Sequence, residues 1–105
     1  ISEAMGEAAA VRRAQPQTRF SYDMLGEGAR TEADARRYLA SYADAIAHIG
    51  AGRVADAPES ADGISIKLSA LFSRYEDAQR ERVFAELVPR VGTLIGEMSN
   101  AGVLL

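Results

Sequence analysis

The sequence predicts an α/β fold in which helices alternate with parallel strands. Two segments, 18–25 and 63–71, alternate apolar and polar residues with the period of two that is typical of a half-buried strand. Three others, 2–14, 31–49 and 76–100, are rich in helix formers or carry apolar residues at three- and four-residue spacing. This order is that of consecutive βαβ units, so we expect parallel strands and right-handed crossovers.

The first helix and the first strand are separated by a proline. The helix over 2–14 is Ala-rich, and Pro16 ends it. The strand over 18–25 ends at two glycines, Gly26 and Gly28. Its alternation predicts one apolar face, formed by Phe20, Tyr22 and Met24.

The second helix and the second strand have the clearest signals. Thr31 and Asp34 have the spacing of a capping box with a shortened acid, and Gly50 is the expected end of the helix. Residues 50–62 lack periodicity and are predicted to form a loop. The strand over 63–71 alternates strictly, with one apolar face formed by Ile64, Ile66, Leu68 and Ala70.

The third helix, over 76–100, has an apolar stripe long enough to cross a sheet. Pro89 lies inside it and removes one helical hydrogen bond, so we expect a kink or break there. Residues 103–105 are apolar and are predicted to begin a third strand. Since the chain starts with Ile and stops within this apolar run, we expect it to be a piece of a longer chain.

The polar faces of the two strands distinguish between two architectures. A parallel strand of an open doubly wound sheet is apolar on both faces. Here one face carries polar side chains, and no GxGxxG turn follows the first strand. A (β/α)8 TIM barrel accommodates such a face, because ligands bind in its mouth. We therefore predict a partial (β/α)8 barrel over 18–105, comprising two βα units and the start of the third strand, after a helical lead-in over 1–17. The polar side chains are Ser21, Asp23, Ser65, Lys67 and Ser69.

Composition excludes several function classes. The 105 residues form one domain or part of one, and 12 basic against 15 acidic residues give a net charge of −3. Without a basic cluster, nucleic acid is not an expected partner. The absence of Cys and the single His48 exclude disulfides, thiolate nucleophiles and a His-rich metal site. No apolar run is long enough to span a bilayer, so a soluble segment is expected.

Two charged residues on the polar faces are candidate site residues. Lys67 lies near the carboxyl end of its strand, where a cation serves either a ligand or a structural acid. Asp23 ends the first strand on the same side, and adjacent strands about 4.8 Å apart allow an ion pair with Lys67. The alternative for Asp23 is a hydrogen bond to its own turn. Other candidates are predicted to be structural: Tyr22, Tyr38 and Tyr42 in the core, His48 at a helix end, and Arg12, Arg13, Arg36, Arg37, Arg80 and Arg82 on solvated faces.

The sequence resembles the proline dehydrogenase domain of bacterial proline utilisation A flavoproteins. The resemblance lies in the runs RFSYDMLGEGART over 19–31 and GISIKLSAL over 63–71, followed by RYE over 74–76. Segments 34–50 and 86–90 fit the same pattern. It implies a (β/α)8 barrel that holds FAD, oxidises L-proline to 1-pyrroline-5-carboxylate and passes electrons to membrane quinone. It also implies a cytoplasmic protein that associates peripherally with the inner membrane.

The resemblance assigns roles to three residues. Lys67 corresponds to a substrate-site lysine for the proline carboxylate, and Asp23 to the acid that holds its ammonium. Glu27, a solvated loop residue by sequence alone, is similar to a gate glutamate that pairs with an arginine from a late barrel element. No catalytic residue or metal ligand is assigned, and the flavin contacts are expected on later strands. The chain departs from the family at Phe72-Ser73, where His-Pro is usual, so any role of that histidine is lost.

Two functions from different classes follow. One is part of an FAD-dependent proline dehydrogenase. The other is a catalytically inactive barrel remnant that serves as an assembly segment. A natural reading frame that ends at Leu105 would indicate this second function. In both cases we expect the isolated 105-residue chain to be inactive and to self-associate through its open sheet edges.

Overall fold

The computed structural model describes residues 1–25, 28–52, 61–73 and 76–105. In this part of the chain, helices alternate with short strands, as the periodicity predicts. Two 3₁₀ turns, Leu68–Ala70 and Asp77–Gln79, follow the second strand. The main elements are α1 (Ser2–Ala14), β1 (Ser21–Asp23), α2 (Glu32–Ala51), β2 (Gly63–Ser65) and α3 (Arg80–Ala101).

The strands β1 and β2 run parallel, which confirms the predicted orientation. Ser21 pairs with Gly63, and Asp23 pairs with Ser65. On the opposite side of β2, Leu104 forms a parallel bridge with Gly63, and its carbonyl accepts the Ile64 N–H at 2.9 Å. The expected third strand thus begins where the apolar run 103–105 predicts it.

Both strands are shorter than predicted, and β2 differs most. Alternation over 63–71 predicts one continuous strand, but pairing ends at Ser65 and the chain turns over Leu68–Ala70. The Ala70 N–H donates to the Lys67 carbonyl at 3.0 Å and closes this turn. Leu71 and Phe72 then both lie fully buried, so their side chains no longer alternate between two faces.

The start of α2 has the predicted capping box. The Thr31 hydroxyl accepts the Asp34 N–H at 3.1 Å, and the Asp34 carboxylate accepts the Thr31 N–H at 3.2 Å. Partial burial acts to raise the pKa of Asp34, but hydrogen bonds from Arg30 and Thr31, together with the Arg37 guanidinium, outweigh it and lower the pKa. The ionised carboxylate therefore helps to hold the first turn.

Thr31→Ala is expected to destabilise the first turn of α2 by about 1 kcal/mol, because it removes the side-chain acceptor of the capping box. Hydrogen exchange of peptides from 30–38 in the full-length gene product measures this effect. Thr93→Ala, in the exposed part of α3, is the matched control. Equal exchange in wild type and Thr31→Ala would contradict the assignment.

The predicted end of α2 at Gly50 is wrong. The helix continues to Ala51 and is capped by Gly52. A Cβ atom at Gly50 would lie 2.7 Å from the Cβ of Ala101, so glycine here allows α2 and α3 to approach closely. The helices and the sheet enclose a core whose largest buried side chains are Tyr42, Ile46, Ile64, Leu71, Phe72 and Leu94.

The predicted break at Pro89 does not occur, and α3 continues through it. Pro89 is exposed, so the helical carbonyl that it leaves without an amide partner can be satisfied by water. None of the described helices is sufficiently long and apolar to cross a membrane.

Candidate functional site

The candidate site lies at the carboxyl ends of β1 and β2, on the polar face of the sheet. Ser21 and Ser65 are exposed there, with their hydroxyl oxygens 3.5 Å apart. Ile64 is fully buried, and the partly buried Tyr22 packs against the same core. The sheet thus has one apolar face covered by helices and one polar face with accessible side chains.

Lys67 and Asp23 meet at this edge, as predicted. The Lys67 Nζ lies 3.5 Å from the Asp23 Oδ1, and their side chains are 33% and 56% exposed. A pair this accessible contributes at most about 1 kcal/mol to stability. The main effect of the pair is to orient the lysine side chain. The Asp23 carboxylate holds the Lys67 ammonium, the only lysine ammonium of the 105-residue chain, at the carboxyl edge of the strands.

The backbone of Lys67 forms a hydrogen bond with a residue of α2. Its N–H donates to the hydroxyl oxygen of Tyr42 at 3.1 Å. Tyr42 is 1% exposed, so its ring belongs to the core, as the sequence predicts. The partly buried Tyr38 packs against the same core. The hydroxyl of Tyr42 nevertheless reaches the segment that carries the candidate site lysine.

Arginines of α3 hold the turn that follows Lys67. Arg90 donates to the Leu71 carbonyl at 2.7 Å and forms an ion pair with Glu32. Arg82 lies 4.8 Å from the centre of the Phe72 ring, a cation–π contact. Arg82 is exposed, as predicted for a solvated helix face, and its guanidinium also covers the buried Phe72 ring. The only available sequence signal is the eight-residue spacing of Arg82 and Arg90, which is close to two helical turns.

A second ion pair lies at the opposite, amino-terminal end of the strands. Arg12 donates to both carboxylate oxygens of Asp62, at 2.7 and 2.8 Å, and these side chains are only 20% and 15% exposed. The guanidinium also lies 5.2 Å from the centre of the Phe20 ring. The predicted solvated position of Arg12 is thus wrong, because α1 turns this residue toward the sheet. Arg13, Arg36 and Arg37 are exposed, as predicted.

Asp62 connects this ion pair to the sheet. Its carboxylate accepts the Phe20 N–H at 3.0 Å, and its carbonyl accepts the Leu104 N–H at 3.1 Å. Burial raises the pKa of Tyr22, and the nearby Asp62 charge raises it further. This end of the sheet therefore joins α1 to three chain segments and has a structural role.

The structure describes only some of the remaining candidate residues. Glu27, the predicted gate glutamate, lies outside the described residues, as do Arg74 and Tyr75 of the family motif. His48 lies in the last turn of α2, where its Nδ1 contacts the Asp44 carbonyl oxygen at 2.8 Å. The described residues contain no cluster of three His, Asp or Glu side chains that could hold a metal ion. Of the three predicted site residues, Lys67 and Asp23 are brought together.

Comparison with known proteins decides the family. The proline dehydrogenase family model matches residues 6–105. The chain belongs to the proline dehydrogenase family. This confirms the resemblance carried by the two strand motifs.

Similar proteins in this family are much longer. The bifunctional protein PutA of Escherichia coli is 48% identical over 94 residues, which are 90% of this chain and 7% of that protein. The PutA of Salmonella typhimurium is 53% identical over 76 residues, 72% of this chain and 6% of that protein. The chain thus spans less than a tenth of the curated relatives it matches.

The architecture of this proline dehydrogenase segment also matches solved structures. A crystal structure of a proline utilization A variant from Bradyrhizobium japonicum is 49% identical, with a TM-score of 0.78. The match covers 90% of this chain and 10% of that one. The helices and the small parallel sheet described above are therefore those of a known family structure.

Proposed function

We propose that the protein containing this chain is an FAD-dependent proline dehydrogenase that oxidises L-proline to 1-pyrroline-5-carboxylate and passes the electrons to quinone. The observation that carries the proposal is the pairing of Lys67 with Asp23 at the carboxyl edge of two parallel strands, in a chain of this family. The carboxyl edge is where ligands bind in parallel α/β folds. An amino-acid substrate brings a carboxylate that needs a cation there.

We further propose that residues 18–105 form the first part of a (β/α)8 barrel and that residues 1–17 lead into it. Two features support this arrangement. The strands are parallel, and the described helices pack against the apolar face that contains Ile64. Ser21, Asp23, Ser65 and Lys67 would then face the lumen near its mouth, where a barrel admits polar side chains.

Each candidate residue has a separate role in this proposal. The Lys67 ammonium binds the proline carboxylate, and Asp23 keeps that ammonium directed toward the mouth. Glu27 follows β1 and would close over the bound substrate by pairing with an arginine from a later barrel element. These roles are binding and orientation, and none of the three residues transfers a proton or hydride.

The cofactor would be held mainly by other parts of the barrel. The sequence has no glycine-rich phosphate turn after β1, and the described part of the polar face includes the Lys67 ammonium, the Asp23 carboxylate and the hydroxyls of Ser21 and Ser65. This donor set fits the carboxylate of a small substrate better than a pyrophosphate. When bound, FAD would supply the acceptor for the hydride and quinone would take the electrons onward, while the residues of this chain would bind and orient the proline.

Cofactor and product analysis tests this function. The full-length gene product is purified, denatured and analysed by mass spectrometry for released FAD. It is then incubated with L-proline and a soluble quinone, and we expect a product two hydrogens lighter than proline. Release of FMN or no flavin, or unchanged proline, would contradict the proposal. We also propose that the protein is cytoplasmic and associates peripherally with the membrane. Its recovery in those two fractions, and its release from membranes by salt, would test this location.

A second candidate, an assembly segment without activity, is favoured by one observation. The outer face of α3 has an open apolar groove of about 660 Å³. Its side chains include Phe84 and Val88, which are 60% and 57% exposed. Exposed apolar surface of this extent on a soluble segment indicates contact with another part of a protein. In the enzyme, that contact would be with the rest of the barrel.

The isolated 105-residue chain is accordingly expected to self-associate. Size-exclusion chromatography with light scattering should give a mass above the 11.2 kDa monomer. Replacing both Phe84 and Val88 by Glu should reduce the association, whereas Arg36→Glu on the exposed face of α2 should not. A monodisperse wild-type monomer with a cooperative melting transition would contradict this expectation.

A further inference from the structure

Lys67 follows β2 at a level where the neighbouring strand β1 no longer continues. In β2, the Gly63 N–H donates to the Phe20 carbonyl at 2.9 Å, on the side of β1. Backbone amides along a strand alternate in direction, so the Lys67 N–H, four residues later, points to the same side. There β1 has already ended at Asp23. The hydroxyl of Tyr42 accepts this N–H at 3.1 Å, in the place of a strand carbonyl.

Tyr42 is well suited to fix a position. Its side chain is 1% exposed and lies within the core cluster, together with Ile46, Ile64 and Phe72. A ring enclosed in this way has little rotational freedom, so its hydroxyl oxygen is a rigid acceptor. By contrast, Asp23, which contacts the other end of Lys67, is 56% exposed and can move. The backbone contact is therefore the more rigid of these two restraints.

We propose that Tyr42 is a positioning residue for Lys67 and thereby sets the affinity of the site for the carboxylate of proline. This inference rests on the proposed function, in which the Lys67 ammonium binds that carboxylate. The Tyr42 hydroxyl holds the backbone of Lys67, the residue directly before the 3₁₀ turn over Leu68–Ala70. Without it, the turn and the Lys67 backbone shift together, and the ammonium leaves the carboxyl edge of β1.

A mutant cycle in the full-length gene product tests the proposal. Tyr42→Phe removes only the hydroxyl and should raise the KM for proline about fivefold, the effect of one lost hydrogen bond, while kcat stays unchanged. Tyr38→Phe, one turn earlier in α2 and packed on the same core, should leave KM unchanged. In a Lys67→Met background, Tyr42→Phe should have no further effect on KM, because Tyr42 acts through Lys67.

Hydrogen exchange gives a second measurement that needs no turnover. A peptide covering 66–70 should exchange faster in Tyr42→Phe than in wild type or Tyr38→Phe. Unchanged exchange and unchanged KM in Tyr42→Phe, with KM raised in Lys67→Met, would overturn the role of Tyr42 alone. Equal KM increases by Tyr42→Phe in both backgrounds would also overturn it, since the effect would bypass Lys67. Unchanged KM in Lys67→Met would overturn the proposed substrate site and this inference with it.

Discussion

Replacing Lys67 by Met in the full-length gene product is expected to raise the KM for proline roughly 10- to 100-fold. A hydrogen bond to a charged group is worth about 1.5–3 kcal/mol, and Met retains the length of the side chain without its ammonium. The loss should be concentrated in binding, so kcat at saturating proline should change much less than KM. Steady-state kinetics over a wide proline range measure both constants.

The control for this variant removes a cation elsewhere. Arg36→Met changes a side chain that is 77% exposed on α2 and pairs only weakly with Glu32 at 3.7 Å. It should leave both constants unchanged. Asp23→Asn should give a smaller rise in KM than Lys67→Met, because it loosens the ammonium without removing it. Wild-type kinetics for Lys67→Met would exclude this residue from the substrate site.

Replacing Arg12 by Met is expected to have the largest effect on stability. It breaks an ion pair in which the Arg12 Nη2 donates to both oxygens of Asp62. The two side chains are four-fifths or more buried, and the Asp62 carboxylate is left without its cation. Allowing for the remaining exposure, we expect a loss of about 2–3 kcal/mol in the docking of α1. Amide exchange in peptides from 2–14 should become about 30- to 150-fold faster, since local opening governs their exchange.

The neighbouring arginine provides the control for this effect. Arg13→Met removes the same kind of side chain from the exposed face of α1 and should change exchange little. Because the ion pair lies at the amino-terminal end of the strands, Arg12→Met should leave the KM for proline near the wild-type value. Equal exchange in both variants would show that the ion pair does not hold α1.

The sequence predicted the features that depend on local periodicity and capping. The first helix, the Thr31 capping box and the parallel order of strands are confirmed by the structure. Alternation along 18–25 and 63–71 also placed Asp23 and Lys67 on one face, where they form the predicted ion pair. These features depend on residues that lie close together in the sequence, or they follow from the rules for βαβ units.

The features that the sequence did not predict depend on contacts between distant segments. Glycine is typical of a helix end, but Gly50 lies inside α2, where a Cβ atom would come within 2.7 Å of the Ala101 Cβ. The sequence around Arg12 is typical of a solvated helix face. Its ion-pair partner, Asp62, lies 50 positions away and could not be predicted from that pattern. The turn after Lys67 also overrides strand alternation, and the Lys67 N–H donates to the hydroxyl of Tyr42, 25 positions away. Single-sequence patterns do not encode such pairings.

The most direct test of the central claim is the visible spectrum of the full-length gene product, recorded without oxygen before and after addition of L-proline. We expect a yellow protein whose flavin absorbance bleaches on addition of proline, with a Lys67→Met variant that bleaches fully only at much higher proline concentrations. A protein without flavin absorbance, or a flavin that proline does not reduce at any concentration, would contradict the proposed proline dehydrogenase. Bleaching at the same proline concentration in both proteins would contradict the role of Lys67.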